Sequence, residues 1–219
     1  MDITPIAQIK NDFTDKFGIP RQSMLAENLS YVVFYPEYRK EGILKGIEEF
    51  NYLHLIWHFD LKDEDWSPTV RPPRLGGNER RGVFATRSPY RPNHLGLSTV
   101  RLVEVKQTEK DGTVLVVSGA DLMNGTKIFD IKPYLPFTDC HLDAKGGFAE
   151  QKFNNNLEVV IDENSTCVKD FSDEQKQTLT SILRQDPRPA YHEDGRIYGF
   201  GYAGREIKFT VKDGVLYVL

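Results

Sequence analysis

YLHLIWHFDL, Tyr52 to Leu61, is the clearest alternation in the chain: Leu53, Leu55, Trp57, Phe59 and Leu61 fall on one face, and Tyr52, His54, Ile56, His58 and Asp60 on the other. Successive side chains of an extended backbone point to opposite faces, so a period of two predicts a half-buried strand. The same reading disposes of a metal pair. On a helix, His54 and His58 would stand one turn apart and could share a zinc ion. On a strand rising about 3.3 Å per residue they lie roughly 13 Å apart, too far for two ligands of one ion. His58 is kept as a candidate cleft residue, with a satisfied strand histidine as its ordinary role.

Outward from this strand, short apolar runs alternate with proline and glycine turns. Tyr31 to Tyr35, closed by Pro36, predicts a strand. Ile43 to Phe50 has near-helical apolar spacing that Gly46 weakens. Val100–Val105 and Thr113–Val117 predict paired strands joined by Lys110-Asp111-Gly112, and Ile128–Leu135 a further strand with Asp130 and Lys132 on one face. The first 140 residues or so therefore hold little helix, which points to a barrel or sandwich rather than a doubly wound sheet. No G-x-G-x-x-G follows a strand, so the common nucleotide-binding α/β fold is unsupported.

A change of composition between Asp143 and Asn156, with Gly146-Gly147 and three successive asparagines, marks a boundary between residues 1–142 and residues 155–219. Beyond it Leu157–Ile161 reads as a short strand. Ser172 followed by Gln175 is a capping-box signature opening a helix to about Gln185, which Asp186-Pro187 ends. Arg196–Tyr202, Glu206–Val211 and Val215–Leu219 form a meander with turns at Ala203-Gly204 and Asp213-Gly214. The chain is thus mainly β, with a small α+β domain at its end.

Three irregular stretches carry the chemistry. GVFATRSPYRPNHLGLS, Gly82 to Ser98, starts from a strand-like lead (Val83, Phe84). Pro89 and Pro92 fix their own torsions and extend Ser88 and Arg91, and Gly96 can take torsions that other residues avoid. A loop already stiff loses little entropy on binding, so Arg87, Arg91, Asn93, His94 and Ser98 can be held ready as donors. An ordered surface loop with solvated arginines fits the same composition. Ala120 to Gly125 is a turn in which Asp121 and Asn124 could hold a ribose or an amino group, or bond to their own backbone. Asp186-Pro187-Arg188-Pro189-Ala190-Tyr191 is a second rigid loop, whose arginine and tyrosine suit an unpaired base beside a phosphate, or an interdomain brace.

Charge and composition narrow the class. The net charge is −4, yet Pro68 to Lys106 holds eight basic residues against two acidic, a local excess of +6 in a remainder of −10. Such an island can bind phosphates locally while the whole discourages indiscriminate nucleic-acid binding, or it is a solvated face. Hydrophobic residues make up 39%, enough for a real core, but no apolar run approaches the roughly 20 residues of a membrane span. The N-terminus lacks the basic-then-apolar pattern of a signal peptide. Two isolated cysteines, Cys140 and Cys167, suggest neither a disulfide framework nor a metal site, and a cytoplasmic location is expected.

With the central loop, Arg71-Pro72-Pro73-Arg74, DLMNGTKIFDIKPYLPF and DPRPAY in order along the chain, the sequence resembles the TrmO family, also called TsaA-like or YaeB-like proteins. The resemblance covers nearly the whole chain. It implies an S-adenosyl-L-methionine-dependent tRNA methyltransferase built on a β-barrel, working as a homodimer with the cofactor near the subunit interface. The implied target is N6 of the threonylcarbamoylated adenosine beside the anticodon of threonine tRNA. Carried over by residue, the cofactor-binding positions are Pro20, Arg21, Gln22, His58, Phe59, Arg87, Leu97, Asp121, Leu122, Met123 and Asn124; Arg184, Asp186, Arg188 and Tyr191 face the RNA.

Methyl transfer from a sulfonium asks the protein chiefly for placement. Arg21, Gln22, Asp121 and Asn124 are expected to hold the cofactor, and Arg87, Arg91 and His94 to orient the modified base or its carboxylate, with His94 or water taking the proton. The other readings are a non-catalytic barrel module that binds an adenosyl ligand or RNA, and, more remotely, a hydrolase, for which neither a Ser/His/Asp set nor a carboxylate pair stands out.

Overall fold

In the computed structural model, which describes residues 2–60, 65–75, 77–150, 157–162, 165–188 and 194–219, and of Arg74 the backbone alone, the chain is mainly β. In order come β1 (Ala7–Lys10), β2 (Leu29–Phe34), β3 (Tyr52–His58), β4 (Thr69–Val70), β5 (Arg81–Gly82), β6 (Leu95–Thr108), β7 (Gly112–Ser118) and β8 (Lys127–Pro133). The one-turn α1 (Pro136–Asp139), β9 (Glu158–Val160), α2 (Asp173–Arg184), β10 (Ile197–Tyr202), β11 (Arg205–Lys212) and β12 (Val215–Val218) complete it.

Antiparallel pairing runs β1-β2-β7-β6-β3-β8, and β8 pairs back onto β1, so the first sheet closes on itself. The alternation of β3 is realised. Leu53, Leu55 and Trp57 point inward to a core with Ile9 of β1, Val32 and Phe34 of β2, Val100 of β6, Leu115 and Val117 of β7 and Ile128 of β8. Each such side chain contributes about 1.5–3 kcal/mol on burial, so a one-residue slip, which would turn the whole set to water, is strongly disfavoured. Two local expectations are corrected. Ile43–Phe50 is not a helix but turns followed by a 3₁₀ turn at Ile47–Glu49, because Gly42 and Gly46 sit at φ of +82° and +83° and reverse the chain. Val83 and Phe84 form a 3₁₀ turn rather than a strand, and the central loop ends at Leu95, where β6 begins.

The second sheet has the order β10-β11-β12-β9, with β9 parallel to β12. Its two hairpin turns carry positive φ at both residues, Ala203-Gly204 and Asp213-Gly214, the handedness that matches the strand twist. Helix α2 covers this sheet and starts as its sequence predicts: Gln175 N donates to Ser172 Oγ (3.2 Å) and Ser172 N to Gln175 Oε1 (3.1 Å). Its buried Leu179, Ile182 and Leu183 pack in a core with Phe200, Phe209 and Leu216.

That second core also takes residues from the opposite end of the chain. Phe13 and Ala26 lie in it, with Phe17 and Ile19 at its edge. Phe13 bridges to Tyr202, Asp12 O accepts from Ala203 N (3.0 Å), Asp12 Oδ2 from Gln175 Nε2 (2.9 Å), and Glu27 O from Thr178 Oγ1 (2.9 Å). Residues 11–27 therefore run from one core into the other. Among the described residues no helix is long and apolar enough to cross a membrane.

Candidate functional site

Trp57 and Ser98 face inward from neighbouring strands β3 and β6, where Leu55 is opposite Ser98 and Trp57 opposite Gly96. Gly96 is required by that pairing: a Cβ there would lie 2.3 Å from the indole Cε2. Trp57 Nε1 donates to Ser98 Oγ (2.9 Å), and Ser98 Oγ donates to Asp121 Oδ1 (2.5 Å). Burial pushes the Asp121 carboxyl above its usual range; the Ser98 hydroxyl, its own backbone N–H, the Arg87 charge and the Ser23 N–H oppose this.

The segment after the buried Pro20 brings the Ser23 N–H to the same carboxylate. Gln22 Oε1 accepts from Arg87 Nη1 (2.6 Å), and Gln22 Nε2 donates to Arg21 O (2.6 Å). Arg21 reaches the other way, its Nη2 donating to Arg188 O (3.0 Å). Four sequence-distant stretches thus meet: residues 20–23, Trp57, the central stretch with Arg87 and Ser98, and Asp121. Their donor set is mixed, a carboxylate acceptor beside a guanidinium and an amide, which suits a ligand carrying both charges and hydroxyls.

A second cluster joins His58, Phe59 and His94. Phe59 N donates to His94 O (2.8 Å), and the His58 ring lies 6.0 Å from that of His94 and 6.1 Å from that of Phe129. Burial, then the His94 charge, lowers the His58 pKa, with Asp60 opposing. His94 adopts φ +49°, a left-handed conformation sparsely populated by residues other than glycine. Its Nδ1 lies 2.9 Å from Pro89 O, a carbonyl that can only accept, so the proton sits on Nδ1 and Nε2 carries the lone pair of the neutral ring. Arg91 is turned inward on its own loop, Nη1 donating to Thr86 O (3.0 Å) and Ser88 O (3.3 Å), its guanidinium 6.0 Å from the centre of the Phe84 ring.

The remaining predicted positions divide. Leu97 points outward, 58% exposed, on the face opposite Ser98. Leu122 is buried in the first core, which leaves only its backbone to any ligand, and its carbonyl already accepts from Asn11 Nδ2 (2.9 Å). Met123 O holds Thr126, and Asn124 Oδ1 accepts from Asn11 N (3.2 Å), a partner 113 positions away rather than its own turn. His54, on the same strand face as His58, is held between Thr99 Oγ1 (3.0 Å) and Asp139 Oδ2 (3.2 Å). Arg184 is exposed at the end of α2. Asp186 grips Arg188 with both oxygens (2.8 Å each) and Asp194 takes its Nη1 (2.8 Å), bonds that raise the guanidinium pKa further. Tyr191 lies outside the described residues. Part of the basic island is neutralised at home, Arg81 by Glu79, while Arg80 bonds Thr69 Oγ1 (2.6 Å). A cavity of about 340 Å³ lies away from all these positions, between Ile43, Ile47, Phe50, Leu53 and Ile131.

Sequence reasoning marked Ser98 as a donor but missed Trp57 and Asn11, whose partners are set by strand register rather than by local pattern.

The family model described as the tRNA-methyltransferase O N-terminal domain matches residues 8–140, and the TrmO C-terminal domain model matches residues 151–219. A tRNA (adenine(37)-N6)-methyltransferase of Escherichia coli strain K12 is 36% identical over 219 residues, covering 95% of this chain and 92% of its own. One from Eikenella corrodens is 44% identical over 166 residues, 75% of this chain and 91% of its own. A Pseudomonas aeruginosa protein carrying the provisional name S-adenosylmethionine-dependent methyltransferase RcsF is 37% identical over 205 residues, 90% of this chain and 87% of its own. Among solved structures, a crystal structure of TrmO superposes with a TM-score of 0.79 at 29% identity, and TrmO from Pseudomonas aeruginosa with 0.77 at 28%; each alignment covers 100% of this chain and 97% of the other.

Proposed function

Because the chain belongs to the tRNA-methyltransferase O family, we propose that it transfers the methyl group of S-adenosyl-L-methionine to N6 of adenine 37 in a tRNA, the activity its relatives are named for. The observation that carries this reading is the meeting of Gln22, Arg87, Ser98 and Asp121 from three distant stretches at one place. Residues 1–142 form a barrel domain that holds the cofactor, and residues 155–219 an α+β domain that contacts the tRNA.

S-adenosylmethionine, when bound, supplies a methyl already activated on a sulfonium, so the protein's work is binding, orientation and proton handling. Asp121 would accept hydrogen bonds from the cofactor's ammonium or hydroxyl groups, and Gln22, Met123, Asn124 and the backbone of Arg21 would frame it. Holding both reactants in line can contribute on the order of 7–11 kcal/mol of the barrier. Arg87 orients the acceptor base; Arg91, committed to Thr86 and Ser88, acts by keeping the loop in shape. Nε2 of His94 receives the proton that leaves N6, since Nδ1 is already occupied.

The finer target is the threonylcarbamoylated adenosine of threonine tRNA, whose fixed carboxylate an arginine can take in a bidentate manner. Arg184, Asp186, Arg188 and Tyr191 serve the RNA side, and Arg21, bonded to Arg188 O, ties that side to the cofactor loop. A second copy completes the site: Phe84 (77% exposed) and Leu97 (58%) present apolar surface close to it, as an interface would. A cytoplasmic location fits a tRNA substrate.

The test is incubation of the full chain with methyl-labelled S-adenosylmethionine and tRNA, followed by mass analysis of the nucleosides. Label on N6 of the threonylcarbamoylated adenosine is the expected result. Tight cofactor binding with no transfer to any tRNA refutes it in favour of a non-catalytic binding module.

A further inference from the structure

We infer that Trp57 and Ser98 are positioning residues that fix both the charge and the aim of Asp121, an inference that rests on the cofactor-binding role of that carboxylate. Both stand behind Asp121, buried within the sheet, and act through its carboxylate. Both belong to the inner faces of the closed sheet, Trp57 at 7% and Ser98 at 1% exposure.

The direction of the chain of hydrogen bonds is forced. An indole N–H can only donate, so with Trp57 Nε1 pointing at Ser98 Oγ (2.9 Å) the serine hydroxyl is left to donate onward. Its acceptor is Asp121 Oδ1 (2.5 Å). A carboxyl in that position accepts a bond and does not offer one, and accepting hydrogen bonds favours the ionised form. Burial pulls the opposite way, so the serine offsets the cost of the carboxylate's own location. The groups facing Asp121 come from each surrounding element: Ser98 of β6, the Ser23 N–H of the segment after Pro20, and Arg87 of the central loop, the charged group among them. The indole is itself fixed by the absent side chain of Gly96 and by Phe59, whose ring centre lies 4.1 Å away. The orientation of a largely buried carboxylate is thereby set by packing inside the sheet, which is what a ligand site needs if its geometry is to exist before the ligand arrives.

The experiment measures S-adenosylmethionine affinity by calorimetry from pH 5 to 8 on the full-length wild type and the Ser98→Ala, Ser98→Thr, Trp57→Phe, Asp121→Asn and Ser98→Ala/Asp121→Asn variants. Ser98→Ala is expected to weaken binding about tenfold at pH 7 and to move the acidic loss of binding to higher pH, because the carboxyl then protonates sooner. Ser98→Thr restores the wild-type profile, Trp57→Phe shifts it the same way by less, and in the Asp121→Asn background removing Ser98 changes nothing further. The inference is overturned if Ser98→Ala keeps the wild-type affinity and pH profile. Should that variant fail to fold, an unshifted profile in Trp57→Phe overturns it equally. A wild type that binds no S-adenosylmethionine at any pH instead removes the cofactor reading on which the inference stands.

Discussion

Replacing Gly96 by alanine tests the packing on which the Asp121 wall depends. The added Cβ would meet Trp57 Cε2, Cζ2 and Cδ2 at 2.3, 2.5 and 2.7 Å, roughly 1 Å inside contact distance. The indole has little freedom to yield, since it is tied to Ser98 at 2.9 Å and lies against Phe59. Overpacking of this kind costs about 1–3 kcal/mol, and turning the ring forfeits the Trp57–Ser98 bond at about 1 kcal/mol more. The sum is about 2–4 kcal/mol. At about 2–4 °C per kcal/mol for a chain of this size, Tm should fall by about 5–15 °C. Gly82→Ala is the control, since nothing lies within 4 Å of its added Cβ and its φ is −57°, open to any residue; it should stay within about 0.5 kcal/mol of wild type. Calorimetric and denaturant unfolding of both variants gives the comparison. A Gly96→Ala protein as stable as the control would refute the account of Trp57 as wedged against bare backbone.

Helix α2 offers a second measurement: Ser172→Ala removes the side-chain acceptor of the capping box and should cost about 1 kcal/mol, a fall in Tm of about 2–4 °C. The histidine pair gives a third, by NMR titration. His58 should titrate below 6.5, because burial and the His94 charge both disfavour its protonation. A depressed folded-state pKa means that the associated stability is complete above the unfolded value and is lost as pH falls through the folded one. His94→Ala should move the His58 midpoint upward but leave it below 6.5, since burial, the larger cause, remains.

What the sequence revealed, and what it hid, follows the reach of each interaction. The alternation of Tyr52–His58 was legible because one face is buried, and the Ser172/Gln175 cap and the two hairpin turns because each is complete within four residues. Ile43–Phe50 misled because its apolar spacing says nothing of the left-handed Gly42 and Gly46 that break it. Val83-Phe84 misled because a two-residue run has no period, and Phe84 is in fact exposed. The site divides in the same way. Arginine, proline and glycine density marked the central loop, and the resemblance named Gln22 and Asp121. No local pattern could place Trp57 behind Ser98, or bring Asn11 to Asn124 across 113 residues, because strand register decides both.

The path of residues 11–27 through both cores has a consequence for how this chain is made. Phe13 and Asp12 leave the ribosome early, but Gln175 and Tyr202, which cover and bond them, are translated more than 160 residues later. The first sheet can close while this segment still waits, so the final docking step depends on the contacts most distant in sequence, the kind that form slowly. Until then Phe13, Phe17 and Ile19 stay wet, and the backbone that carries Arg21 and Gln22 is held from the first sheet's side alone, through Arg87 and Gly119. A nascent chain would thus shield the apolar side of residues 11–27 only once the strands that carry Tyr202 and Phe209 have been released.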